Sequence, residues 1–370
     1  MTSSLAKAER PLVPEPAGGA DLVNVTVQTL EGVFEFPCAT SEPLLHGGLK
    51  RGLALPYECA TGTCGTCRGR LMTGSVDSGW AESPALAKIK PDKGDILLCQ
   101  AKPRSDCLVR VAAKGVGAHT DGTGAPLTFE GTLKASRLLT RDVIEFTIGL
   151  SRPMKFEAGQ FVLLSVGSVI GARAYSMVNF APSADELAFV VKRKPAGSFS
   201  DWLFSGSIDG TRVEVFGPLG RATFSPHEDK DLVIAAGGSG IAGMMAILER
   251  AMQVNYFASH RGHVFFGVPT LEDGFYLKSL ADFVARAGGG LEVTLALSNE
   301  EPSGLCHPSH EPIKLAGGFV HAVMSASMKG VQQDSLAFLA GPPPMVDAAL
   351  RVLITEGQFS PRSIRYDKFS

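Results

Sequence analysis

The sequence has no apolar run long enough for a membrane helix. Leu232 to Leu248 carries no charge, but it is shorter than the roughly 20 residues a bilayer needs, and Gly237-Gly238-Ser239-Gly240 interrupts it. A buried strand, a glycine turn and a helix are expected there instead. Neither sign of charge dominates: 35 Lys and Arg stand against 37 Asp and Glu, a net −2, which argues against nucleic acid or an anionic membrane as partner. No internal repeat is present. Residues 1–20 lack the apolar segment of a secretion signal and are rich in Pro, Ala and Gly, so they read as a disordered tail. Seven cysteines in 370 residues do not suit the disulfide framework of a short secreted protein and point to a reducing cytoplasm.

What is present is more specific. Cys59, Cys64, Cys67 and Cys99 follow C-x4-C-x2-C with a distant fourth thiol, the ligand pattern of a plant-type [2Fe-2S] cluster. Gly62, Gly65 and Gly69 are expected to take positive φ and bring backbone N–H groups close to the sulfur atoms. Zinc or a structural role is the competing reading, although no second C-x2-C knuckle or suitably spaced histidine accompanies the loop. Cys38, Cys107 and Cys306 read as buried small side chains.

Around these thiols the sequence resembles the plant-type ferredoxin domain from Asp21 to Lys114. Val23, Val25 and Val27 alternate with polar residues, Glu31-Gly32 turns the chain, and Val33 to Phe36 pairs back as a hairpin. Leu44, Leu45 and Leu49 predict a short helix, and Ile96 to Gln100 a strand carrying Cys99. This order is that of a β-grasp fold. Residues 115–126, rich in Gly and Thr, form the predicted linker.

From Leu127 the pattern changes to alternating runs, Leu127–Ala135, Val143–Leu150, Phe161–Val166, Ala174–Phe180 and Leu187–Lys192, which suggest an antiparallel β-barrel over 127–227. Within it stand Arg173-Ala174-Tyr175-Ser176 and, downstream, Gly197-Ser198-Phe199-Ser200 before a short helix holding Trp202 and Leu203. These two motifs resemble the R-x-Y-S strand and G-x-x-S turn of the ferredoxin reductase family. The resemblance implies FAD held by both motifs together with Val191, Lys192 and the terminal Phe369. Arg173 would meet pyrophosphate, Tyr175 would stack on the flavin ring, and Ser176 would lie near its N5. An arginine fork matches phosphate, and an aromatic ring supplies a flat apolar platform. Lys192-Arg193-Lys194 reads equally as a solvated charge run.

Residues 228–370 alternate strand and helix, which implies an α/β domain built on a parallel sheet. Gly237-Gly238-Ser239-Gly240 forms the first strand-to-helix turn, where a pyrophosphate is cradled at a helix N-terminus. The second strand ends Phe266-Gly267-Val268-Pro269 without the acid of a dehydrogenase fingerprint. The reductase family has its own signatures, G-G-[ST]-G and a later C-G-P-P-x-M. Here they are Gly237–Gly240 and Ala340-Gly341-Pro342-Pro343-Pro344-Met345, with alanine in place of the cysteine. By that resemblance Gly237, Gly238, Ser239, Gly240, Ala340, Gly341, Pro342, Pro343 and Met345 bind the nicotinamide nucleotide. Val268 to Leu277 contains no arginine and includes Glu272 and Asp273, which favours NADH over NADPH. The ending Tyr366-Asp367-Lys368-Phe369 resembles the Y-E-K-F terminus of oxygenase reductases; Phe369 either covers the flavin or frays.

The order ferredoxin, flavin barrel, nucleotide domain resembles that of the benzoate dioxygenase and toluene monooxygenase reductases, unlike the phthalate dioxygenase type. It implies a multidomain α+β and α/β monomer serving aromatic compound degradation. Its implied partner is a terminal oxygenase, Rieske or di-iron, reached directly or through a small ferredoxin. A reductase for a deoxysugar-forming dehydratase and a redox-sensing module are the alternatives.

Overall fold

A computed structural model describes residues 21–112, 124–206, 208–302, 311–327 and 334–369. The predicted tail, most of the predicted linker and Cys306 lie outside them. The described residues divide into two compact units, 21–57 with 64–112 and 124–125, and 58–63 with 126–369.

In the first unit β1 (Leu22–Gln28) and β2 (Val33–Ala39) form the expected hairpin, with Val25 and Val27 buried and their polar neighbours outward. Helix α1 (Leu44–Lys50) buries Leu44, Leu45 and Leu49. Then come β3 (Arg68–Thr73), β4 (Val76–Asp77), β5 (Asp95–Leu97), β6 (Lys102–Pro103) and β7 (Cys107–Arg110). The five-stranded sheet runs β2-β1-β7-β3-β5, with β1 and β7 parallel, and β4 and β6 form a small ribbon. The strand predicted to carry Cys99 stops at Leu97. Leu98 to Gln100 turn, and the N–H groups of Gln100 and Ala101 both reach the Leu97 carbonyl.

The second unit opens with an antiparallel sheet of β8 (Leu127–Leu138), β9 (Val143–Met154), β10 (Phe161–Ser165), β11 (Arg173–Ser176), β12 (Ala184–Lys192) and β13 (Arg212–Leu219), ordered β11-β10-β13-β8-β9-β12. Helix α2 (Ser198–Leu203) sits between β12 and β13 in the chain. Strand β13, absent from the sequence reading, lies inside the sheet between β10 and β8.

A parallel sheet follows: β14 (Leu232–Gly237), α3 (Ile241–Gln253), β15 (Gly262–Val268), α4 (Leu277–Arg286), β16 (Leu291–Leu297), β17 (Ile313–Gly317), α5 (Val320–Ser327), β18 (Leu336–Gly341), α6 (Pro343–Thr355) and β19 (Ile364–Lys368). Its order is β17-β16-β15-β14-β18-β19. Strands β17 and β19 and helix α5 complete the alternation, and α4 does not begin until Leu277. The cause is local: Leu271–Asp273 forms a 3-10 turn closed by a Thr270–Asp273 capping box, and Tyr276 takes φ +59 before the helix begins.

Alternate β14 residues serve different faces. Ile234 and Ala236 join α3, α4 and the barrel in one continuous apolar cluster, while Val233 and Ala235 pack with α5 and α6. The flavin barrel and the nucleotide sheet therefore share a core and do not each bury their own.

Candidate functional site

Cys67 and Cys99 are buried with their Sγ atoms 3.3 Å apart, while Cys59 and Cys64 are half-buried. The thiols are surrounded by donors. The N–H of Thr61 points to Cys59 Sγ and that of Thr66 to Cys64 Sγ, each at 3.4 Å, and Gln100 Nε2 lies 3.6 Å from Cys99 Sγ. Gly62 and Gly65 take φ +86° and +88°, which allows these turns. Gly69 does not: it lies in β3 with ordinary φ, and a Cβ there would sit 2.9 Å from Val109 Cγ1 and 3.1 Å from Leu98 Cδ2. Its smallness serves packing. No group of three or more His, Cys, Asp or Glu is poised around a single ion among the described residues. The close Cys67–Cys99 pair, and the single N–H donors on Cys59, Cys64 and Cys99, suit thiolate ligands of an anionic iron–sulfur cluster. Cys38 and Cys107 are buried apart from this loop, and burial pushes the Cys38 thiol up to about 12 and that of Cys107 upward. Neither is set to ionise.

The two flavin motifs meet. Arg173 at the start of β11 donates through Nη2 to Ser198 Oγ over 3.3 Å, and through Nη1 to the carbonyls of Ala172 and Ile170 at 3.1 and 3.4 Å. Tyr175 lies 5.2 Å, ring to ring, from Phe199, which in turn lies 5.3 Å from Trp202. Burial raises the Tyr175 phenol well above its usual range, so it stays protonated. Ser176 is buried beside α3, where a Cβ added to Gly243 would lie 3.4 Å from the Ser176 Cβ. Ala174 is half-buried and Val191 buried. Gly197 precedes α2 without a capping side chain, and Ser200 Oγ bonds back to the Gly197 and Lys194 carbonyls. Lys192 pairs with Asp142 at 3.2 Å and Arg193 with Asp201 at 3.2 Å, so part of the basic run balances local acids.

The two nicotinamide motifs also meet, at the C-terminal ends of β14 and β18. Between these neighbours the strand order reverses, which is where open α/β sheets bind ligands. A Cβ at Gly240 would fall 2.3 Å from the Ala340 carbonyl oxygen. One at Gly341 would fall 2.9 Å from Met345 Cε, and one at Gly237 3.4 Å from Pro342 Cδ. Gly238, at φ +52°, faces open space. Ser239 lies in the same turn, ahead of α3, and Pro343 is the first residue of α6. Phe369 does not fray: β19 pairs with β18, Arg365 is bidentate to Glu228 at 2.7 Å, and the Phe369 N–H bonds the Gly341 carbonyl at 3.0 Å.

Residues 28–104 match the 2Fe-2S iron-sulfur cluster binding domain family, 130–224 the oxidoreductase FAD-binding domain and 234–351 the oxidoreductase NAD-binding domain. The chain is 31% identical over 344 residues to the ferredoxin–NAD(P)+ reductase CarAd of Metapseudomonas resinovorans, covering 92% of this chain and 98% of that one. The chain belongs to the oxygenase-coupled ferredoxin reductases. This reductase is also 32% identical over 337 residues to the ferredoxin–NAD+ reductase component of the alkene monooxygenase system of Xanthobacter autotrophicus (strain ATCC BAA-1158 / Py2), covering 90% and 97%. Among solved structures it resembles the ferredoxin reductase in carbazole 1,9a-dioxygenase, with TM-score 0.79 and 28% identity, over 95% of this chain and 100% of that one. It is an NADH-dependent flavin iron–sulfur oxidoreductase. No helix among the described residues is long and apolar enough to cross a membrane.

Several contacts at the site were not read from the sequence. The acidic turn after β15 is braced by the barrel: Arg141 reaches Asp273 at 3.4 Å, and the Tyr276 hydroxyl donates to Glu145 at 2.5 Å. The partners are more than 130 residues apart, and no local pattern joins them. A cavity of about 580 Å³ lies against β15–β17 and α5, and no residue of either glycine turn lines it. Its polar groups satisfy one another, His263 with Thr294 at 2.9 Å and Lys314 with Glu292 at 2.6 Å.

Proposed function

We propose that this reductase carries electrons from NADH through FAD and a [2Fe-2S] cluster to a terminal oxygenase, Rieske or di-iron, directly or through a small ferredoxin, as a cytoplasmic monomer. Residues 21–114 form the exit module, 127–227 the flavin module and 228–370 the nucleotide module. A nicotinamide gives a hydride, a metal centre takes single electrons, and a flavin exchanges both. The observation that carries the reading is the meeting of Ser176 with Gly243, which sets the flavin-motif strand against the helix that follows the nucleotide loop.

In this reading Arg173 and Ser198 hold pyrophosphate, Tyr175 and Phe199 wall the flavin, and Ser176 lines its reacting edge. The turns Gly237–Gly240 and Ala340–Met345 hold the nucleotide between them, with Phe369 kept beside Gly341 by β19. Cys59, Cys64, Cys67 and Cys99 hold the cluster. NADH is favoured because Glu272, Asp273 and Glu300 surround the end of β15 and the arginine reaching it, Arg141, is taken up by Asp273. Iron, sulfide and released-flavin analysis test the cofactor assignment: two irons, two sulfides and one FAD per chain are expected, and zinc or FMN would overturn it. NADH should exceed NADPH by at least about tenfold in kcat/KM, and equal efficiency would refute the nucleotide assignment.

A further inference from the structure

We propose that Lys88 is a positioning residue of the iron–sulfur site, which clamps the Cys64–Gly65 turn and through its charge favours the reduced state of the cluster. The inference rests on the reading of Cys64 as a cluster ligand. Lys88 ends the 3-10 turn Pro84–Lys88, and its Nζ donates to the Cys64 carbonyl oxygen at 3.2 Å. Its stem lies over the turn: a Cβ built on Gly65 would meet Lys88 Cβ and Cδ at 3.6 Å and Ala85 Cβ at 3.7 Å. The same turn is fixed from within, by the Thr66 N–H on Cys64 Sγ and the Arg68 N–H on the Gly65 carbonyl at 3.2 Å. One side chain thus covers Gly65 with its methylenes and holds a ligand residue's carbonyl with its ammonium.

The electrostatic consequence follows from the charge of the site. A cluster held by four thiolates is anionic and gains one further negative charge when it accepts an electron. A cation fixed on a ligand residue stabilises the reduced state more than the oxidised one and raises the reduction potential. Lys88 is exposed, so this influence is open to screening by salt. A lysine that only packed against the loop would show neither effect.

The test uses the full-length holoprotein and the variants Lys88→Met, Lys88→Gln and Lys88→Arg, each first assayed for iron and sulfide. A wild-type protein without a [2Fe-2S] cluster would refute the ligand assignment itself, separately from this proposal. With the cluster present, dye-mediated redox titration at low ionic strength should show that Lys88→Met and Lys88→Gln disfavour cluster reduction by about threefold to tenfold, tenfold being about 59 mV for one electron. Lys88→Arg should stay within about twofold of wild type, and the differences should shrink in about 1 M salt, where the screening length falls to about 3 Å. If Lys88→Met fails to retain the cluster, the Gln and Arg variants decide. Equal potentials for these two, or a wild-type potential in a loaded Lys88→Met protein at low salt, would overturn the proposal.

Discussion

Arg173 Nη2 donates to Ser198 Oγ over 3.3 Å and so joins the first residue of β11 to the first turn of α2, 25 residues further on. The two motifs of the proposed flavin site are thereby held together. Charge-assisted hydrogen bonds contribute about 1.5–3 kcal/mol, so Arg173→Met should weaken FAD binding by about ten- to a hundredfold. Ser198→Ala, which leaves the guanidinium in place, should cost less. Ultrafiltration followed by fluorescence of released FAD measures both, and undiminished retention in Arg173→Met would remove Arg173 from the site.

The nucleotide turn makes a sharper contrast between two neighbouring glycines. A methyl group at Gly240 would meet the Ala340 carbonyl oxygen at 2.3 Å, whereas at Gly238 it would meet open space and only the cost of φ +52°. Gly240→Ala should therefore separate the two turns and abolish detectable flavin reduction by NADH in stopped flow. Gly238→Ala should fold with a loss of about 1 kcal/mol, since left-handed backbone is costly for a residue with a Cβ. Equal behaviour of the two would mean that the turns are not packed as described.

The brace between barrel and nucleotide sheet should be energetically uneven. The Tyr276 hydroxyl donates to Glu145, which also accepts from Arg137 Nε at 2.7 Å, and burial raises the phenol well above its ordinary range. Tyr276→Phe should destabilise by about 1 kcal/mol, the net contribution of one such bond. Arg141→Ala should change stability by less than about 0.5 kcal/mol, because the Arg141 side chain is 79% exposed. Chemical denaturation of the two variants checks the ranking.

How far the chain could be read in advance depended on whether the cause was local. The cysteine spacing, the hairpin valines and the glycine turns are local signals, and they led to the correct order of modules. Ile96 to Gln100 reads as a strand carrying Cys99, but turning the chain at Leu98 is what brings its thiol to Cys67. Strand β13 was legible in the alternation Arg212-Val213-Glu214-Val215, although the Gly217-Pro218 pair that follows reads as a turn. Strand β19 looks like a terminal motif until β18 is there to pair with it. The bond from Tyr276 to Glu145 and the clamp of Lys88 on Cys64 depend on where distant elements land, which no spacing encodes.

Acid sensitivity should include a contribution from His263. Burial lowers its imidazole to about 4, below the ordinary histidine value of about 6.5. The stability tied to its neutral form is intact above about pH 6.5 and is lost as pH falls towards 4, because the unfolded chain takes up the proton first. Burial lowers His46 to about 3, which acts in the same direction. His263→Gln should therefore flatten the fall in Tm between pH 7 and 5 without removing it. Parallel curves for variant and wild type would show that His263 is not held neutral.

The claim that electrons enter at the flavin and leave only through the cluster is tested most directly with Cys64→Ser, because a hydroxyl is a poor substitute for a thiolate at iron. NADH-driven reduction of ferricyanide and of cytochrome c is measured on the same preparation, with its FAD content confirmed. The account predicts that ferricyanide reduction persists, since that small acceptor meets the flavin itself, while cytochrome c reduction is lost. Normal cytochrome c reduction by the cluster-free protein would contradict it.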